Sequence, residues 1–459
     1  MTFLLTPADL GRYNALLTTV TSLFAMSGLG IGLVLQRESA KHANQKNEVL
    51  GEMITTGFIC MAFCMFLLIV LFTFFHEEIS GSFFGDLDPA LIKWIPLLAL
   101  FYFLVQSPLT IILGMGLFKL YSLRNLIEAF ITGLCILTFG YFWHLEGVIY
   151  GLAISLFVNA GIVWLIFSRS ILREQIALRY GNLRKNARRI LAQGIPYFVG
   201  NTFIGSAANI VLIGLFSRDI GYSELGYLRI GLSLATILMV VPNAIKTVTV
   251  TFIARLEVNA IRLQSLQIRY LFFLIITSTL LLVHVLKPIV SLIFGNAYDA
   301  GVNVYIMVLL INVFFSLHQI LNSFIAGRGE LMYSGIINSV IVILYILCAV
   351  FLVPHIGING YYIAFGGSYF LGLVIFLVHE FRTHAYDNLN HIVVFLAGSF
   401  LLIAASMIYY SFYPPHLSID ALSVMGILVY ALVCYKYLFK EEERIALHQT
   451  VLKMRRFIK

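Results

Sequence analysis

Three cations stand inside stretches that are otherwise apolar: Arg12, Arg229 and Lys246. A charge in hydrocarbon costs about 2.5–3.5 kcal/mol on insertion scales, so such a group faces a cavity, a partner or the headgroups. Facing a cavity, the three would supply counter-charge to an anion entering a low-dielectric space. Arg12 and Lys246 have a second reading, in which they sit at helix ends and snorkel to the headgroups. The sequence leaves both readings open. Arg124 and Glu128 lie four residues apart, the spacing at which helical side chains meet, and are expected to pair. His318, Gln319 and Asn322 make a polar patch in one apolar segment, and Asn201 and Asn209 interrupt another. These five suit a polar cavity or the handling of a coupling ion. His318 reads either as a hydrogen-bond partner for another helix or as a proton relay. Catalysis has no comparable footing. No paired carboxylates or metal-spaced histidines occur outside the short Glu77–Glu78 turn, so no catalytic, metal or cofactor site is expected. Glu128 is the one carboxylate expected well inside a span. The five cysteines (Cys60, Cys64, Cys135, Cys348, Cys434) read as small packing residues.

The elements that must carry these side chains are membrane helices. The chain has 459 residues, 60% hydrophobic and 11% charged, against about 25% charged in a typical soluble domain. Mean hydropathy is +0.93. That excludes a soluble enzyme, a nucleic-acid module and a disordered chain. A bilayer core of ~30 Å takes about 20 apolar residues per helix. Thirteen such spans are expected, over 12–35, 53–75, 92–115, 122–143, 147–168, 194–216, 224–250, 269–293, 302–325, 332–354, 358–379, 391–412 and 419–438. The Tyr and Phe excess is expected to be mostly lipid-facing or packing surface.

Charges in the connections alternate in sign. One set holds Arg37, Lys41 and Lys46, then Lys119, then Arg173 through Arg189, then Arg255, Arg262 and Arg269, then Arg328, Arg382 and the basic tail from Lys436. The opposite set holds Glu77, Glu78, Asp86 and Asp88, then His144 and Glu146, then Asp219, Asp299 and Asp420. Positive loops stay in the cytoplasm, so the C-terminus is expected inside and, with thirteen spans, the N-terminus outside. The net charge of +8 thus reflects orientation, and no nucleic-acid partner is expected. The 169–193 segment reads as a basic cytoplasmic linker that lies on the surface as a helix.

A repeat runs through the chain. Ala8-Asp9-Leu10-Gly11 matches Ser223-Glu224-Leu225-Gly226 at a separation of 215. Phe84-Gly85 matches Phe294-Gly295 at 210, Tyr121-Ser122 matches Tyr333-Ser334 at 212, and Gly147 matches Gly360 at 213. Both copies run in the same direction across the bilayer, which predicts two bundles related by an axis along the membrane normal. The second copy has a span, 194–216, ahead of its Leu-Gly motif; the first has ten residues there, so by symmetry one N-terminal helix is expected to be missing. The fold expected is all-α and polytopic, with two six-helix-type lobes. Residues 1–168 form the first lobe, 169–193 the linker, 194–380 the second lobe, and 381–459 two further helices and a basic tail.

Leu5-Thr6-Pro7-Ala8-Asp9-Leu10-Gly11-Arg12-Tyr13, Gly194-Ile195-Pro196, Tyr222-Ser223-Glu224-Leu225-Gly226-Tyr227, Phe294-Gly295-Asn296-Ala297-Tyr298 and Ala326-Gly327-Arg328-Gly329 carry a resemblance. They are similar to the polysaccharide exporters, the O-antigen or lipid-linked oligosaccharide flippases of the multidrug/oligosaccharidyl-lipid/polysaccharide superfamily. The resemblance implies a flippase of the bacterial inner membrane. It would move an undecaprenyl-diphosphate-linked sugar repeat unit from the cytoplasmic to the periplasmic leaflet. Its partners would be membrane lipids, the polysaccharide polymerase and the chain-length machinery. The absent first helix departs from that family, where it helps line the cavity. A cation-coupled multidrug exporter of the same build is the alternative, but it needs embedded carboxylates that are scarce here. A membrane-embedded polymerase, ligase or acyltransferase would need a large outer loop with a general base, and no loop is long enough.

Overall fold

The computed structural model describes residues 5–42, 48–79, 89–174, 176–240, 243, 260–294, 296–383, 389–412 and 417–438. Every described element is a helix. In a bilayer this follows from the need to satisfy each backbone polar group within its own segment. Helices overlap each of the expected spans. Seven described helices are long and apolar enough to cross a membrane, or eight when the bent pair at the N-terminal end counts as one.

That bent pair comprises α1 (Pro7–Ser27) and α2 (Ile31–His42). Thr6 caps α1 by accepting a hydrogen bond from the Asp9 amide at 3.2 Å, and Pro7 fills the first helical position, where no amide donor is needed. The continuous 12–35 span expected from hydropathy is interrupted. Leu29 and Gly30 take positive φ (46° and 70°), and the axis bends by 58°. A Cβ on Gly30 would overlap the Gly194 carbonyl, so the corner seats directly on a neighbouring backbone.

Next come α3 (Glu48–Phe74), α4 (Ile95–Gly114) and α5 (Phe118–Arg173). A straight 56-residue helix would be about 84 Å long at 1.5 Å per residue, far more than a bilayer. It breaks at Trp143 and His144, where φ and ψ leave the helical region. The halves fold back as a hairpin, with Gly147 against the Phe139 carbonyl and Gly151 against that of Cys135. The outward faces of α3 and α5 carry Phe63, Phe66, Phe74, Leu126, Phe130 and Phe142, all more than half exposed, as a lipid-contacting surface requires.

The basic linker does contain a helix, α6 (Leu183–Phe198), capped by the Asn182 side chain. It continues through a wider-wound turn, Val199–Phe203, into α7 (Ile204–Leu215) and a second such turn, Phe216–Ile220. Then follow α8 (Tyr222–Leu238), α9 (Ala260–Phe294), α10 (Val302–Arg328), α11 (Leu331–Ile356), α12 (Ile358–Thr383), α13 (Leu389–Phe412) and α14 (Leu417–Leu438). The buried axis of the second half is α10, packed on α8, α9 and α12. The last pair, α13 and α14, packs on α9 and α10, and Arg269 of α9 donates to the Leu438 carbonyl at 3.1 Å.

The two copies of the repeat meet through their own motifs. Helices α1 and α8 cross so closely that a Cβ on Gly11 would overlap the Tyr222 carbonyl, and a Cβ on Gly226 would overlap that of Pro7. The two contacts exchange when 215 is added to one member and subtracted from the other. The reciprocity is a property of this one crossing. Gly226→Ala should therefore force the helices apart and cost about 1–3 kcal/mol, as overpacking does. The thermal midpoint of the solubilised protein is expected to fall, while Gly133→Ala, where a Cβ meets nothing within 4 Å, leaves it unchanged.

Candidate functional site

Six helices line a cavity of about 380 Å³, five of them from the second half of the chain. Three, α10, α11 and α12, contribute at helical spacing, so that one stripe of each faces inward. From α10 come Asn312, Phe315 and Gln319, and from α11 Asn338, Val342 and Tyr345. The stripe of α12 is Tyr361, Phe365 and Tyr369. Thr202, Gly205, Ser206 and Asn209 close one side from α7 and the turn before it, with Leu232 from α8 and Ala25 from α1. The first repeat therefore supplies one side chain.

The lining divides into two chemistries. Tyr345, Phe315, Phe365 and Tyr369 form a continuous aromatic wall, with ring centroids 4.7–6.3 Å apart. The other chemistry is that of carboxamides. Asn312 Nδ2 donates to the Val308 carbonyl at 3.0 Å, and Asn338 Nδ2 donates to Asn322 Oδ1 at 2.9 Å and to the Ser334 carbonyl at 2.8 Å. Both keep a carbonyl oxygen for an incoming donor. Ser334 also donates to Asn322, making a buried network behind the wall. No charged residue lines the cavity among the described residues.

The sequence-selected residues scatter around this site in an ordered way. Asn209 and Gln319 line it. Asn322 lies one turn from Gln319 and anchors Asn338. His318 is fully buried behind the wall, stacked on Phe376 at 4.8 Å and edge-on to Tyr369 at 5.4 Å. Arg229 is half-buried one helical turn from Leu232, on the side of α8 facing α1, where its charge acts on the buried Tyr13. Arg12 bonds Asp9 at 3.0 Å and lies 5.7 Å over the Tyr222 ring, at the crossing of the two repeats and away from the cavity. Arg124 and Glu128 pair at 2.6 Å, with Arg124 buried. Lys246 and the Asn201 side chain lie outside the described residues.

The i, i+4, i+8 spacing of Tyr361, Phe365 and Tyr369 is the sequence signal for the cavity's aromatic side, which sequence reasoning missed. Two further carboxylates, Glu38 and Glu380, are buried more deeply than Glu128. Both sit near basic ends of helices and have cationic partners. Glu38 meets Arg189 at 3.0 Å. Arg328 donates to Glu380 at 3.2 Å and to Glu330 at 2.8 Å, and His379 reaches Glu330 at 3.1 Å. Beside this cluster Arg37 of α2 packs against Gly329, which caps α10 in the left-handed conformation.

A second cavity of about 410 Å³ lies between α9, α13 and α14. It is mostly apolar, with His284, Tyr409 and Tyr410 in its wall.

The architecture is that of a multi-pass membrane protein, with at least seven described helices long and apolar enough to span a bilayer, and its fold is shared by several solved transporters. The solved lipid II flippase MurJ, in an inward closed conformation, superposes with a TM-score of 0.63 at 13% identity, covering 94% of this chain and 96% of that one. A MOP superfamily transporter from Pyrococcus furiosus, described by the reverse polarity of its binding pocket, gives 0.60 at 18% identity, with 82% and 87% covered. An outward-facing multidrug resistance MATE family transporter gives 0.60 at 16%, again with 82% and 87% covered. These likenesses establish the fold. No curated protein matches the sequence. The family profile described as "polysaccharide biosynthesis protein" matches residues 1–257, more than half the chain, and the protein belongs to that family.

The basic cluster yields two expectations. Arg328→Ala leaves Glu380 buried without its cation and should cost about 3–5 kcal/mol, read by thermal or denaturant unfolding. Burial alone would raise the Glu330 carboxyl, but hydrogen bonds and charge from Arg328 and His379 outweigh it and hold it below its ordinary 4.5. Its stabilising contribution is complete above that value and is lost as the pH falls through the depressed one. The acid limb of the stability profile should therefore be shallower in Glu330→Gln.

Proposed function

We propose that the chain is a flippase that carries an undecaprenyl-diphosphate-linked oligosaccharide, an O-antigen or other surface polysaccharide repeat unit, from the cytoplasmic to the periplasmic leaflet. The reading places it in the bacterial inner membrane with its basic loops and C-terminus in the cytoplasm. The observation that carries it is a transporter of this family with a polar cavity that has no carboxylate among the described lining residues. The diphosphate is held by Arg229, one turn from the cavity wall, with Arg12 and Lys246 as further counter-charges. The lobes, 1–168 and 194–380, rock to expose the cavity alternately to each side, while the lipid tail stays in the bilayer. The polymerase and chain-length machinery act downstream.

The second reading is a cation-coupled multidrug exporter. Aromatic rings attract organic cations, and multidrug transporters share the fold. Two assays separate the readings. In a host lacking its own flippase, the wild-type chain should restore surface glycan. Arg229→Ala at equal membrane levels should not, and full restoration by that variant removes Arg229 from the mechanism. Drug resistance conferred by the chain, without glycan restoration, favours the exporter.

A further inference from the structure

The cavity's chemistry goes beyond a generic polar vestibule. We infer that it is a carbohydrate subsite selective for neutral sugars, with the rings of Tyr361, Phe365 and Tyr369 stacking on sugar C–H faces and Asn312, Asn338 and Asn209 bonding the hydroxyl rim. The inference rests on the flippase reading for its biological role and deepens it by naming the sugar class.

A sugar ring has an apolar face and an equatorial belt of hydroxyls, each both donor and acceptor. The site that complements it needs flat aromatic surface beside groups that accept and donate at fixed spacing. The aromatic wall supplies the first. Carboxamides supply the second, since each offers an acceptor oxygen and a two-proton donor on one plane. The internal bonds of Asn312 and Asn338 use their amide protons and fix the carbonyl oxygens as acceptors for sugar O–H donors. Asn209 is exposed to the cavity and offers both functions. A site meant only for an apolar cargo would have no use for these amides, each of which is costly in hydrocarbon.

Neutrality follows from what the lining lacks. A uronic acid or phosphorylated sugar would bring a second anion beside tyrosine hydroxyls and amides with no guanidinium among the described lining residues, and with the nearby counter-charges already engaged by the diphosphate it would lose its hydration uncompensated. Size adds a bound. A volume near 380 Å³ is at the small end of ligand pockets, which run from ~300 to 1,000 Å³, so about one or two rings fit at a time.

The test uses the full-length protein in lipid nanodiscs and saturation-transfer NMR with soluble probes. Maltotriose and chitotriose should show contacts, and trigalacturonate should bind at least tenfold more weakly. Phe365→Leu and Asn312→Leu should each weaken the neutral trisaccharides about tenfold. Tyr361→Phe keeps the ring and its packing, and should retain most of the stacking contact; it serves where either leucine variant fails to fold. Absence of contact by any neutral sugar overturns the inference, as do equal binding of trigalacturonate, unchanged binding in both leucine variants, or preferential occupation by tetraphenylphosphonium. Neutral-sugar binding without glycan restoration keeps the site and rejects the flippase reading. Restoration without sugar discrimination rejects the site alone.

Discussion

The crossing of α1 and α8 is the contact on which the rest of the arrangement depends. Two helices can approach to backbone contact only where neither carries a Cβ at the crossing point, and here Gly11 and Gly226 meet that condition reciprocally. Close approach brings in neighbours that would otherwise stand apart. Tyr298, buried, donates its hydroxyl to the Leu5 carbonyl at 2.8 Å, and Tyr305 donates to the Tyr298 carbonyl at 3.0 Å. The two tyrosine hydroxyls thereby tie the start of α1 to the α9–α10 connection beside the crossing. In lipid, where apolar surface gains little from burial against another helix, this kind of fit is what drives association.

Much of this was legible from composition and spacing. The apolar runs locate the helices because the bilayer allows few alternatives, and the 215-residue offset between two Leu-Gly motifs marked the residues that now touch. The interior was read less completely. Hydropathy carried the first span through 28–30, yet two glycines flanking Leu29 allow a corner there, and the Gly194 backbone occupies the space inside it. Asn209, Gln319 and Asn322 stood out as polar residues in apolar runs. Their aromatic neighbours did not, because a Tyr or Phe on a membrane helix is equally at home against lipid, against protein or against a ligand. Only the packing of α10, α11 and α12 decides among those three. The cations showed the opposite fault: they are conspicuous in sequence, but Arg12 is engaged by Asp9 and Tyr222 at the crossing.

The polar network behind the cavity has a structural cost that explains its completeness. An amide in a low-dielectric interior is strongly destabilising when unmatched and cooperative when matched. Asn322 accepts from both Ser334 and Asn338, and Asn338 in turn donates to the Ser334 backbone. The three side chains hold α10 and α11 in register, so Asn312 and Asn338 line the cavity from a fixed frame. Preorganised acceptors of this kind select by geometry, since their own reorganisation is already complete.

Contacts between the two halves of the chain differ in kind between the acidic and the basic end. At the acidic end they are backbone against backbone with buried tyrosine hydroxyls. Separating them exposes carbonyls and hydroxyls to hydrocarbon. Toward the basic end α2 adds side-chain contacts, Arg37 against Gly329 and Glu38 to Arg189 of the linker helix, to the backbone contact of Gly30 on Gly194. Arg189 is about half exposed, and ion pairs of that exposure contribute only about 0–1 kcal/mol. The stronger ionic cluster, Arg328 with Glu380 and Glu330, lies within the second repeat and travels with it as a unit. Water can replace what the half-exposed ion pair loses on separation, whereas the buried ionic cluster and the backbone contacts have no such substitute.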